Sequence, residues 1–164
     1  MNKTILKAAL CCTVAVVGSL TASAASAATA TAPAFAKIFS QVTVINTSDL
    51  EFGTIVTAAS PSVVDVDTAG ARTCGAGLAC LGTTSAADFV VGGSTGQVTT
   101  ISVPASVTLS SGANSMLALL NPTNAVLTLV ANAGSFSIGG TLLVGGAQAE
   151  GTYTGSFTAT VNYQ

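Results

Sequence analysis

Gly151–Tyr163 reads GTYTGSFTATVNY, and its side chains fall into two alternating sets. Tyr153, Gly155, Phe157, Ala159, Val161 and Tyr163 make one set. Thr152, Thr154, Ser156, Thr158, Thr160 and Asn162 make the other. A period of two belongs to a β-strand with one buried and one wet face. A slip of one residue would turn the whole apolar set into water, so the register of such a strand is strongly specified. The stretch therefore predicts a strand over Thr152–Tyr163 with the first set facing a core.

The same chemistry runs back through the chain. Val, Thr, Ile and Phe gather in short runs punctuated by Gly, Ser, Asn and Pro, which are strand and turn residues respectively. Strands are predicted at Ile38–Ile45, Leu50–Thr57, Ser62–Asp67, Asp88–Val91 and Val98–Val103, then at Ser106–Leu109, Met116–Leu120, Ala125–Ala131 and Ser135–Val144. Met116–Leu120 also suits a helical turn, because Met, Leu and Ala favour helix. Short strands at this spacing predict an all-β sandwich or barrel rather than βαβ units. Pro104 and Pro122 are expected where strands end, and Gly92-Gly93, Gly139-Gly140 and Gly145-Gly146 at turns, bulges or close approaches.

Thr68–Ala87 is rich in Gly, Ala and Thr and reads as a long loop. It holds Cys74 and Cys80, for which a disulfide is expected in an oxidising compartment. Closing so short a loop contributes about 2 kcal/mol in the chain-entropy model. A metal site at this pair would need further His or Cys ligands, and none lies nearby.

The compartment follows from the N-terminus. Lys3 and Lys7 precede a mostly apolar stretch from Ala8 to Leu20, followed by small residues to Ala27. Residues 1–27 are expected to be a secretory signal, cleaved before Ala28 and too short in its apolar part to span a bilayer. Residues 28–37 then form an arm, and residues 38–164 the sandwich domain. In the arm Ala28, Ala30, Ala32, Ala34 and Ala36 share a parity that continues to Ile38. It reads either as a flexible leader or as an extended donor strand, able to add to another molecule's sheet.

Beyond the signal the only cations are Lys37 and Arg72, against Asp49, Glu51, Asp65, Asp67, Asp88 and Glu150, a net charge of −4. Two scattered cations exclude a nucleic-acid footprint. With 6% charged residues the wet surface must be Thr, Ser, Asn, Gln and Gly, which repels neighbours weakly and suits assembly. The absence of His removes the usual proton shuttle, the commonest metal ligand and every His-based triad. Asp65 and Asp67 open like a calcium loop but lack its later ligands. No catalytic, cofactor-binding or metal site is expected, and no enzyme.

Ser48–Val56 (SDLEFGTIV) and Gly151–Tyr163 together resemble the two ends of an uncharacterised family of secreted bacterial β-sandwich proteins, itself similar to spore coat protein U and archaic chaperone–usher pilin subunits. Tyr163 as penultimate residue, Gly151 as fourteenth from the end and the alternation of Tyr153, Phe157, Ala159 and Val161 carry the likeness to pilins. The resemblance implies an incomplete immunoglobulin-like sandwich whose gap is filled by a neighbour's arm. It also implies that the last strand pairs with a periplasmic chaperone on the way to an outer-membrane usher. The expected function is a non-catalytic subunit of a surface fibre, pilus or coat, assembled with copies of itself or related subunits after transit through the periplasm. The alternative is a self-contained secreted adhesin or glycan-binding module.

Overall fold

The structure is a computed structural model and describes residues 26–164. The expected signal segment therefore lies almost wholly outside the described residues. The chain divides into two units, Met1–Ala36 and Lys37–Gln164. In the first, residues 26–36 carry no helix or strand.

The second unit is an antiparallel β-sandwich, and among the described residues every regular element is a strand. In chain order these are β1 (Thr43–Ser48), β2 (Thr54–Val56), β3 (Ser62–Val66), β4 (Arg72–Cys74), β5 (Ala79–Leu81), β6 (Ala87–Gly92), β7 (Val98–Ser102), β8 (Ser106–Ser111), β9 (Asn114–Pro122), β10 (Val126–Thr128), β11 (Ala133–Val144) and β12 (Thr160–Tyr163). β11 is the spine of the large sheet. Its first half pairs with β6, which carries β1, and its second half with β3, which carries β4. Ile138–Leu143 pairs at the same time with β9, which carries β8 on its far side. A second sheet runs β10-β7-β12, and β2 pairs with β5 alone.

Two apolar clusters fill the interior. In the first, Phe89, Val91, Phe136 and Ile138 of the large sheet meet Ile101 and Val161 of the small one. The Phe89 and Phe136 rings stack with centroids 5.0 Å apart. In the second, Val64, Val66, Ala118, Leu142 and Val144 of the large sheet are covered by Phe52, with Ile55 and Cys80 packed against them. The first cluster is closed by a paired sheet, and the second by a short hairpin-like pair.

Several sequence expectations change in detail. Met116–Leu120 is strand throughout, held between β8 and β11, so tertiary pairing overrides its helical preference. Thr68–Ala87 contains β4 and β5, joined by the Cys74–Cys80 disulfide with Cα atoms 6.2 Å apart. The first strand begins at Thr43, not Ile38, while Gly139-Gly140 lies inside β11 at the close approach expected of it, with the Val66 and Asp67 backbone against Gly139 and the Leu50 and Phe52 side chains against Gly140. The largest change concerns Thr152–Tyr163. Only Thr160–Tyr163 joins a sheet, and Thr154 makes one isolated bridge to Ser110.

Candidate functional site

The interrupted last strand keeps its alternation even where it loses its partner. Tyr153, Phe157, Ala159, Val161 and Tyr163 are buried or half-buried, and Thr152, Thr154, Ser156, Thr158, Thr160 and Asn162 are all exposed. Gly155, of the same parity as the apolar set, is exposed, and a Cβ there would stand 2.5 Å from the Thr108 carbonyl. The run thus lies close against β8 but bonds to it only at Thr154.

A mismatch of lengths explains the break. Ser110 bridges Thr154, and Ser102 pairs with Thr160, so a step of six in the last run faces a step of eight along β7 and β8. The surplus falls at the β7–β8 connection, which contains Pro104 and its missing N–H. Among the described residues Gly155–Ala159 consequently forms no backbone–backbone hydrogen bond. Among the described residues the other edge of the run is hydrogen-bonded to no strand, since β12 pairs only with β7.

Across from this edge stands a second incomplete wall. Asp49–Thr57 is tied on its outer side by the Glu51–Ser85 bridge and by β2–β5 pairing, while β2 has no second partner among the described residues. Between the walls opens a groove of about 1410 Å³. Its floor is the core itself: Ala87, Phe89, Val107, Leu109, Met116, Leu142 and Val144. Phe52 and Phe157 lean in from opposite sides, the Phe157 ring 6.5 Å from that of Phe89. A smaller depression of about 480 Å³ continues the same seam between Phe39–Val42 and Val161–Tyr163. An unpaired sheet edge is a liability unless something covers it.

Both ends of the seam are pinned. At one, the Tyr153 hydroxyl donates to the Ala149 carbonyl and accepts from Gln148 Nε2, each at 2.8 Å. At the other, the Tyr163 hydroxyl donates to the Ser40 carbonyl at 2.8 Å and accepts from the Ser94 N–H at 2.7 Å. The Tyr163 ring lies 5.4 Å from Phe39, and Lys37 Nζ sits 4.7 Å above the Phe39 ring. Gly151 is exposed at a bend between the pinned Tyr153 and Ser111.

The sequence-predicted residues are thus brought together in part. Tyr153 and Phe157 line the groove, Val161 and Tyr163 line the depression beyond it, and Ala159 packs against the first cluster. Of the candidate arm, Ala30, Ala32, Ala34 and Ala36 belong to the first unit and form no strand, while Ile38 lies in the second unit with its side chain exposed. The facing wall, Leu50 to Ile55, reads in the sequence as another strand and as part of the Ser48–Val56 motif, with nothing to mark it as a wall. Its proximity to the last run is a matter of topology. Among the described residues no group of His, Cys, Asp or Glu is placed to hold a metal ion, and no helix is long and apolar enough to cross a membrane.

No curated protein matches this chain. Residues 42–163, from the root of β1 to the end of β12, match the model of a domain of unknown function, DUF4402, and the chain belongs to that family.

Proposed function

We propose that this protein is a secreted, non-catalytic structural subunit whose groove accepts an extended strand from another molecule, building a surface fibre, pilus or coat. The observation that carries the reading is the free edge of Gly155–Ala159 beside a groove floored by core side chains. An added strand would hydrogen-bond the empty edges and place alternate side chains on that floor, which is β-strand addition. From Tyr153 to Tyr163 the seam measures about 33 Å at the rise of a strand. An arm of about ten residues, such as Ala28–Lys37 of another copy, spans that length. Its alanines bury about 1 kcal/mol or less each, Ile38 just beyond it shares their parity and supplies more, and Phe35 and Phe39, of the opposite parity, would point away from the floor. The likeness to spore coat protein U and chaperone–usher pilins supports the same reading, with a periplasmic chaperone holding the groove before assembly.

Material sheared from the native cell surface tests it, run on a gel with and without boiling and viewed by electron microscopy. Strand-exchanged subunits give a ladder that collapses to one band on boiling, together with thin filaments. Deleting Ala28–Lys37 should abolish the ladder and leave the domain folded. Normal filaments from the deletion would sink the proposal.

One observation favours a second reading, a secreted glycan-binding module. Phe52, Phe89, Tyr153 and Phe157, half of the eight aromatics, line the groove. A lone monomer band with no filaments, and binding to a surface polysaccharide on a glycan array, would decide for it.

A further inference from the structure

The stapled segment Thr68–Ala87 does more than join two strands. β5 lies beside β2, with Cys80 opposite the groove-lining Ile55, and the disulfide runs from Cys80 to Cys74 in β4, the edge of the large sheet. Ser85 exchanges backbone hydrogen bonds with Glu51, and its hydroxyl donates to the Asp49 carbonyl at 2.6 Å. Alongside this covalent bridge, Arg72 supplies a polar link. It begins β4, paired with Val66 on the large sheet, and its side chain is half-buried. Nη1 donates to the carbonyls of Phe52 at 3.0 Å and Leu81 at 2.9 Å, and Nη2 reaches the Gly82 carbonyl at 3.5 Å. Gly53, at φ 73°, makes the room, for a Cβ there would collide with Nη1.

These carbonyls belong to the groove wall and to the strand behind it. An arginine fork presents several donors in fixed geometry, which a lysine's single ammonium does not reproduce. Its bonds to carbonyls are charge-assisted and stronger than neutral ones. From this geometry we infer that Arg72 is the positioning residue of the groove. It ties Phe52 and the β2–β5 pair to the large sheet, and so sets the spacing between the Asp49–Thr57 wall and the last run. The inference rests on the reading that the groove takes a strand, but its local consequence can be measured without one.

The test uses the purified full-length protein and its Arg72→Lys and Arg72→Met variants. Amide hydrogen exchange is the first readout. Losing charge-assisted bonds should speed exchange at Glu51–Val56 by about tenfold or more in Arg72→Met. Arg72→Lys should be intermediate, and amides of Phe89, Val91, Phe136 and Ile138 unchanged. The second readout is binding of a fluorescent peptide of sequence ATATAPAFAKIF, that of Ala28–Phe39. Its affinity should fall by about tenfold in Arg72→Met. Unchanged wall exchange, or exchange that rises uniformly through the core, overturns the inference. A wall that loosens while the unmutated protein ignores the peptide upholds the role of Arg72 and overturns the strand-accepting reading. If Arg72→Met does not fold, Ser85→Ala removes only the bond to the Asp49 carbonyl, and the same local loosening is expected at about threefold.

Discussion

The last twelve residues before the C-terminal glutamine hold two halves that look alike in sequence and differ in structure. Thr160–Tyr163 pairs with β7, and Val161 is buried between two sheets. Gly155–Ala159 carries the same alternation and hides Phe157 and Ala159 in part, yet among the described residues it has no ladder on either edge. Backbone N–H and C=O groups left without protein partners must be met by water or by another chain. The difference teaches that side-chain periodicity reports which face is inward, while pairing depends on whether a strand of matching length runs alongside. Here β7 and β8 supply two residues too many, with Pro104 among them.

Substitutions in the two halves sharpen the contrast. Val161→Asp buries an unpaired carboxylate between paired sheets and should cost more than about 4 kcal/mol, leaving the domain unfolded in a thermal melt. Ala159→Asp, on the same face but only half-buried, should cost about 1–2 kcal/mol in urea unfolding. Equal losses at the two positions would break the comparison.

Phe157→Ala should cost about 2 kcal/mol, below the roughly 3–5 kcal/mol of a fully buried Phe, because the groove exposes one side of the ring. Cys74→Ala/Cys80→Ala should also cost about 2 kcal/mol in chemical denaturation. Tyr163→Phe removes both hydroxyl bonds at the end of the seam and should cost about 1 kcal/mol, read from the same denaturation curves. Thr158→Asp, on the wet face, should stay within about 0.5 kcal/mol.

The architecture was legible because alternation and turn residues act locally. The strand-rich pattern predicts an all-β sandwich, and the fold is one. Cys74 and Cys80 were legible as a pair because nothing else near them binds a metal or activates a thiol. β4 and β5 were not, since three residues carry no period and their surroundings are Gly, Ala and Thr. The break at Gly155 was hidden for another reason. It arises from a count of residues on the strands alongside, which a single run does not show. Arg72 read as a lone cation in a loop, and its partners are backbone carbonyls that no side-chain motif announces.

The central claim is that the edge at Gly155–Ala159 awaits a strand. Amide hydrogen exchange of the purified full-length protein, with and without the peptide ATATAPAFAKIF, tests it most directly. Without peptide, Gly155–Ala159 should exchange far faster than Thr160 and Asn162, whose amides face β7, and saturating peptide should slow it by about tenfold or more while Asn162 is unaffected. Protection at Gly155–Ala159 equal to that of Thr160 and Asn162 before any peptide is added, or none gained afterwards, would contradict the account.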